Sequence, residues 1–533
     1  MSNSMDRLTD SAMEPEGISS VLETRRGVLP NVCLVLAVCL VCTLWIAFPP
    51  FTRAFFHAEV SYNEGWNVYN AERVAAHQVL YPSTVGWTTV NYPMLSFFSA
   101  AMLHRVTHEY LLSARILSLV SLVLCCMLVA LIVERLGGSR SAAVLAAAFC
   151  LAVFCAAGDS TGYIGADDPQ IFAQVFYLGA MYVYLLCNRR GVGLVAVAAL
   201  LVVGGCIKQN LLEFPLAVLV DLLLVSRRRA LLFLASGATF SVFAVIVQQR
   251  CGGPGFVTCI LAPRAYAVTK VLQLVAVDLA PLAFPLGLAL YIAWRLARRS
   301  ELRLAVLLFG FSLVVGSYFS GGDGVSVNTF FGVFLSMSVM LGLGLSHLQL
   351  SARGAVLLPL ALWGWLMIPW LVVPPLEEGR KVFAVWDPPL YLQQMEDRQE
   401  RFNSKLATIE SQQGPALCES LLLCASAEKP YVYDPFNATR FIGLGKLRSE
   451  PVVEAIHEHR FSSIQLNGPL DDPDRFAHFA PAIVKAIGQE YRPLMQDQDG
   501  VVMIPARTQR VNDAGSDSRA ATPSYESALS AGP

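Results

Sequence analysis

Apolar runs dominate the chain between residues 28 and 374, broken at short intervals by polar residues. An α-helix needs about 17–25 apolar residues to cross the hydrocarbon core of a bilayer. The runs at 28–50, 112–133, 141–157, 169–187, 191–207, 209–226, 230–248, 271–294, 303–319, 329–346 and 354–374 therefore predict about eleven transmembrane helices. A shorter run at 93–104 is expected to lie at the outer interface without spanning. The first run is too long for the apolar region of a signal peptide, and Pro49–Pro50 follows it where a small-residue cleavage site would stand. It is read as a retained span.

Beyond the last run the pattern changes. Residues 375–506 have the composition of a soluble domain, in which Tyr431–Tyr433, Ser463–Leu466 and Val501–Ile504 predict strands. Val452–His459 and Arg475–Glu490 predict helices, so a small α/β domain is expected. Residues 1–27 form a polar N-terminal tail, and 507–533, rich in Ser, Ala, Asp and Gly, are expected to be disordered. The fold class is an α-helical polytopic membrane protein with a small C-terminal α/β soluble domain.

Composition agrees with that division. Of 533 residues, 55% are hydrophobic and only 15% charged, and the mean hydropathy is +0.52. Soluble domains carry about 25% charged residues. The net charge of −1 gives no case for nucleic acid as a partner. Most of the 13 cysteines sit inside apolar runs, where they pack as small hydrophobes. Two pairs, Cys251 with Cys259 and Cys418 with Cys424, are candidate disulfides in an oxidising compartment.

The placement of charge sets the topology. Basic clusters occur at Arg25–Arg26, Arg135 with Arg140, Arg189–Arg190, Arg227–Arg229, Arg295 to Arg303, and Arg353. With the N-terminus in the cytoplasm, all of them fall on the cytoplasmic side, as the positive-inside rule requires. The outer side then receives the first loop (51–111), the loop 158–168, the turn at Lys208, the loop 249–270 and the soluble domain.

Ionisable residues at membrane depth are costly and mark functional sites by default. The first loop carries Glu59 and the segment Tyr62-Asn63-Glu64-Gly65-Trp66, followed by Tyr81-Pro82 and Asn91-Tyr92-Pro93. Glu64 reads equally well as a base with a raised pKa and as a carboxylate at a helix start. Asp167-Asp168-Pro169 opens a span, with Asp168 in N-cap position. Lys208-Gln209 interrupts apolar sequence, with nothing nearby in sequence read as a partner for Lys208, and Arg264 stands in the 249–270 loop. Either could hold a phosphate, or simply reach for lipid headgroups. The turn Ser320-Gly321-Gly322-Asp323-Gly324 leads to Asn328 and is compatible with close backbone approach to a ligand.

In order and sidedness, these features resemble the GT-C superfamily of glycosyltransferases that use polyprenyl-phosphate-linked sugars. The likeness extends from Phe51 to Pro374 and is strongest to bacterial relatives of protein O-mannosyltransferases and to the lipid A aminoarabinose transferase. The resemblance implies a general base at Glu64, with the family's preceding acid replaced by Asn63, and a second catalytic acid at Asp168. It implies a donor phosphate held by Lys208 and Arg264, and substrate contacts from Glu59, Asn63, Tyr81, Tyr92, Asp167, Gln209 and Asn328. At Tyr92 several relatives carry a lysine. The expected reaction moves a sugar from a polyprenyl-phosphate donor to a hydroxyl of a glycan, lipid or protein at the outer face of a bacterial inner membrane, with inversion. The soluble domain is expected to recognise acceptor or act as a lid. No metal ligand set is assigned, no cofactor is required with certainty, and a divalent cation is left open. A transporter or flippase for a lipid-linked or anionic solute is the alternative. Such a protein should show inverted repeats, and no convincing repeat is seen.

Overall fold

The computed structural model describes residues 16–156, 158–189, 191–372, 387–468 and 478–506. The tail 507–533, residues 375–386, and the first residues of the helix expected from Arg475 lie outside them.

Every run read as a span forms helix. The membrane helices are α1 (Glu16–Arg53), α4 (Tyr110–Arg135), α5 (Arg140–Ala156), α6 (Pro169–Leu186), α7 (Val192–Gly205), α8 (Glu213–Val225) and α9 (Arg227–Gly252). They continue with α11 (Val268–Leu274), α12 (Ala283–Leu296), α13 (Arg303–Ser320), α14 (Phe331–His347) and α15 (Ala352–Val372). Among the described residues, seven helical segments are long and apolar enough to cross a bilayer, and three shorter ones are as apolar. The protein is a multi-pass membrane protein.

Two of these segments depart from the expected pattern. The run 271–294 is broken, because α11 and α12 are joined by a π-helical turn and a 3-10 turn around Pro281. Proline supplies no amide to continue the ladder. The run 209–226 is helical only from Glu213, and α8 has 13 residues.

The helix ends are tied together by polar contacts. At one end Asp221, fully buried on α8, accepts hydrogen bonds from Tyr184 (2.6 Å), Arg189 (2.7 Å) and Arg303 (2.7 Å). Nearby contacts join His347 Nε2 to the Leu136 carbonyl (3.1 Å) and Arg299 to His347 Nδ1 (3.1 Å). The expected basic ends of α6 and α13 are thus both held to one buried acid, which offsets half of their charge.

At the other end the first loop folds into α2 (Asn63–Ala75) and α3 (Leu95–Thr107). α3, at 13 residues, is too short to span and packs beside α2 and α4. A short helix α10 (Phe256–Ile260) follows α9.

The soluble domain begins with α16 (Pro388–Glu410), capped by the Asp387 side chain on the Leu390 amide (3.0 Å). It continues with β1 (Ala416–Cys418), α17 (Leu421–Ser426), α18 (Pro435–Gly443), α19 (Glu450–His457), β2 (Ser463–Leu466), α20 (Pro481–Glu490), β3 (Tyr491–Asp497) and β4 (Gly500–Pro505). The sheet order is β1-β2-β4-β3, with β1 parallel to β2 and the other pairs antiparallel. The expected strands at 463–466 and 501–504 are present, but Tyr431–Tyr433 is not a strand. The Asp434 amide bonds the Trp87 carbonyl of the first loop (2.8 Å), and the Asp434 side chain caps α18 instead. Cys418 and Cys424 form a disulfide. Cys251 and Cys259 do not pair: Cys251 is exposed, while Cys259 is buried with its thiol against the Pro82 carbonyl (3.7 Å).

α16 and α17 clamp the soluble domain onto the first loop. Gln399 Oε1 accepts from the amides of His57 (2.6 Å) and Ala58 (2.9 Å), and Tyr391 donates to the Pro49 carbonyl (2.9 Å). The glycine of the Tyr62–Trp66 segment has its reason here. A Cβ on Gly65 would stand 1.9 Å from the Leu422 amide nitrogen, so only glycine lets α17 sit directly on α2.

Candidate active site

The site is built between the first loop, the ends of α4, α6, α7 and α13 that lie beside it, and α18 of the soluble domain. Its residues fall into three places.

The first is a buried ion pair. Glu64, fully buried on α2, binds Arg115 of α4 through both oxygens (Nε–Oε1 2.7 Å, Nη2–Oε2 2.7 Å). It also accepts from the amides of Val60 (2.6 Å), Ser61 (3.3 Å) and Asp167 (3.0 Å). Arg115 donates further to the carbonyls of Phe56 and Ala58. Burial alone would push the Glu64 carboxyl up, but the Arg115 charge, its hydrogen bonds and the backbone amides outweigh burial and hold it below its usual value. The expected raised pKa is therefore corrected, while the helix-start reading holds: Glu64 lies in the first turn of α2, and its carboxylate accepts amides of the turn before it. Arg115 was missed by the sequence reading. Its signal was a lone arginine inside the apolar run 112–133, which must find a partner.

The second is a small cavity lined by Asn67, Ser96, Ser118, Asp167, Asp168 and Phe172. Asp168 caps α6, accepting the Gln170 amide on Oδ1 (2.8 Å), while its Oδ2 is buried without a partner among the described residues. Asn67 donates to the Asp167 carbonyl (2.6 Å) and leaves its own Oδ1 unpaired. Burial, then the charges of Glu64 and Asp168, push the Asp167 carboxyl well above its usual value. The two acids thus differ: one is held towards the neutral form, the other offers a free oxygen. Tyr163 stands close to Asp168, Ser326 and Tyr92.

The third is a larger cavity of about 310 Å³ that brings together Tyr92, Lys208, Gln209, Arg264 and Asn328. Lys208 is 4% exposed, with its ammonium 3.6 Å from the centre of the Tyr92 ring. A desolvated cation over an aromatic face is stabilised by about 2 kcal/mol. This explains why Lys208 has no acid partner in sequence. Gln209 donates to the Asn91 carbonyl (2.9 Å), fixing the Tyr92 backbone. Arg264 reaches the Asp323 carbonyl (3.4 Å), and Lys270, absent from the expected set, donates to the Gly322 carbonyl (2.7 Å). Directly alongside, Pro93, Leu201, Phe233, Val245 and Phe256 line an apolar groove of about 490 Å³, which shares Gln209 and Ile260 with the cationic cavity.

Three expected residues lie elsewhere. Tyr81 is buried behind Tyr92, donating its hydroxyl to the Tyr92 carbonyl (2.9 Å). Asn63 begins α2 and lines neither cavity. Glu59 lines a separate polar cavity with Arg398, Lys405, Ser420 and Asn467, where burial pushes its carboxyl up to about 8. Among the described residues no group of three or more His, Cys, Asp or Glu is placed to hold a metal ion.

In its arrangement of membrane helices, connecting loops and appended soluble domain, the chain is similar in fold to solved membrane proteins of the GT-C type. The chain is similar to ArnT, the lipid A aminoarabinose transferase, from Cupriavidus metallidurans bound to undecaprenyl phosphate. The TM-score is 0.55 at 15% identity, covering 90% of this chain and 98% of that one. The apo state of ArnT from the same organism gives 0.56 at 15% identity, covering 89% and 97%. The oligosaccharyltransferase AglB from Archaeoglobus fulgidus, in complex with an inhibitory peptide and a dolichol-phosphate, aligns at 0.46 and 12% identity, covering 90% and 75%. No protein-family model matches the sequence, and no curated protein matches it significantly.

Proposed function

We propose that the protein is a membrane glycosyltransferase that takes a sugar from a polyprenyl-phosphate donor. The observation that carries this reading is the union of a cationic cavity with an apolar groove. Lys208 and Arg264 would hold the donor phosphate, and the groove between α7 and α9 that opens beside them would take the lipid tail. A soluble phosphorylated metabolite would need only the first. The undecaprenyl phosphate bound by ArnT gives a ligand of this chemistry to a protein of the same fold.

In the reaction, an acceptor hydroxyl attacks the anomeric carbon as the bond from that carbon to the donor phosphate oxygen breaks. The acceptor proton passes to the free Oδ2 of Asp168, and Asp167, held neutral, donates a hydrogen bond that orients the hydroxyl. Lys208 and Arg264 stabilise the departing phosphate. Glu64 acts at a distance, fixing the first loop through Arg115 and holding the Asp167 backbone directly by accepting its amide. A single displacement inverts the anomeric centre. The acceptor is a hydroxyl of a glycan, lipid or protein, and the polar cavity at Glu59 lies where the soluble domain would contact it. The topology that fits is that of a bacterial inner membrane protein, with the N-terminus in the cytoplasm and the soluble domain outside.

The test is binding of undecaprenyl phosphate by the purified protein and by Lys208→Met. Saturable binding that the substitution weakens about tenfold supports the reading. Absence of binding by the wild type would overturn it.

A further inference from the structure

Arg440, on α18 of the soluble domain, is 6% exposed, and none of its Nε, Nη1 and Nη2 atoms has a hydrogen-bond partner among the described residues. A guanidinium carries five donors, and burying one unpaired is costly. Its Cζ lies 4.8 Å from the centre of the Phe441 ring. Such a group is either an unexplained expense or a ligand awaiting its anion.

The surroundings point to the second. α18 is docked onto the cationic cavity by residues one turn earlier on the helix. Phe436 packs against Gly324, where a Cβ would come within 2.3 Å of the Phe436 ring. Asn437 accepts from Asn91, the residue before Tyr92 (3.3 Å). Gly324 and Tyr92 both line the cavity that holds Lys208. The charged and titratable groups facing Arg440 are Arg264, Asp434, Asp323 and Tyr92. Of the two acids, Asp434 spends both oxygens on Asn437 (3.0 and 2.6 Å). Burial, with Arg264 acting in the same sense, pushes the guanidinium down to about 10 against the opposing pull of those acids.

We infer that Arg440 is a third ligand for the anionic group of the donor, contributed by the soluble domain to the cavity of Lys208 and Arg264. This deepens the proposed function and rests on it. The guanidinium donates to phosphate oxygens that Lys208 and Arg264 hold from the membrane side, so the bound donor bridges the two domains. The soluble domain then has a direct share in donor binding, beyond its contact with acceptor.

The experiment compares wild type, Arg440→Met and Arg440→Lys in detergent, with undecaprenyl phosphate as the probe. Two readouts are taken: binding, and heat resistance of the ligand-free protein. Arg440→Met is expected to weaken binding about ten- to a hundredfold while leaving ligand-free heat resistance equal or higher, because an unpaired buried charge is removed. Arg440→Lys should recover part of the affinity. Wild-type binding that Arg440→Met leaves unchanged would overturn this inference alone. So would a methionine variant whose ligand-free heat resistance falls, since that marks a structural residue. Failure of the wild type to bind would overturn the proposed function and this inference with it.

Discussion

Glu64→Gln separates a structural carboxylate from a catalytic one. The substitution keeps the volume and removes the charge, leaving Arg115, 1% exposed, without its counter-ion. Breaking a buried pair from one side costs about 3–5 kcal/mol. That is a large share of the roughly 5–15 kcal/mol that stabilises a folded protein. A Glu64→Leu/Arg115→Met double variant should recover part of the loss, although it orphans the carbonyls of Phe56 and Ala58 that Arg115 satisfies. The assay is the surviving monodisperse fraction after heating in detergent, read by size-exclusion chromatography at several pH values. The folded-state pKa of Glu64 lies below its usual 4.5, so its contribution is complete above that value. The contribution is lost as pH falls through the lowered folded pKa. Glu64→Gln should therefore be less heat-resistant at neutral pH and lose less on acidification. A variant with wild-type heat resistance that transfers no sugar would refute the reasoning and return the proton-acceptor role to Glu64.

Asp168→Asn is expected to lower turnover by about 10²–10⁴-fold, whereas Asp167→Asn, which mimics a neutral acid, should keep most of it. Equal losses in steady-state transfer kinetics would contradict the division of roles. Gly324→Val should free α18 from the cationic cavity, because the new side chain occupies the place of the Phe436 ring; faster limited proteolysis of the soluble domain would report it. Cys418 and Cys424 should resist maleimide labelling until reduced, and replacing both with serine should cost about 2 kcal/mol for so short a loop. Labelling of both thiols in untreated, unfolded protein would place the soluble domain in a reducing compartment.

The membrane helices were legible because most apolar runs have the length a bilayer demands and fold as one helix, 209–226 and 271–294 being the departures. The cationic cavity was legible for a similar reason. Lys208 and Arg264 are charges left inside or beside apolar sequence, and the fold gathers both with Tyr92, Gln209 and Asn328. What the sequence could not show depends on partners distant along the chain. Glu64 meets Arg115 51 residues later, and that pairing reverses the direction of its pKa shift. Gly65 stands in the quoted Tyr62–Trp66 segment, and only the fold shows that its lack of a side chain makes room for Leu422. Tyr431–Tyr433 has strand composition, but the contacts of Trp87 with Tyr433 and with the Asp434 amide hold it against the first loop. Arg440 looks like any helix arginine until α18 is docked on Gly324 and Asn91.

The central claim is that a polyprenyl-phosphate sugar enters the cavity of Lys208 and gives up its sugar beside Asp168. The direct measurement uses purified wild type, Lys208→Met and Asp168→Asn in lipid nanodiscs, each incubated with undecaprenyl-phosphate-linked labelled sugar and a cell-envelope acceptor extract. Release of undecaprenyl phosphate and label in the acceptor fraction are followed together. The account predicts transfer by the wild type, a raised donor KM for Lys208→Met, and bound but untransferred donor for Asp168→Asn. Wild-type turnover by both variants, or donor left intact by the wild type across a panel of sugars and extracts, would contradict it.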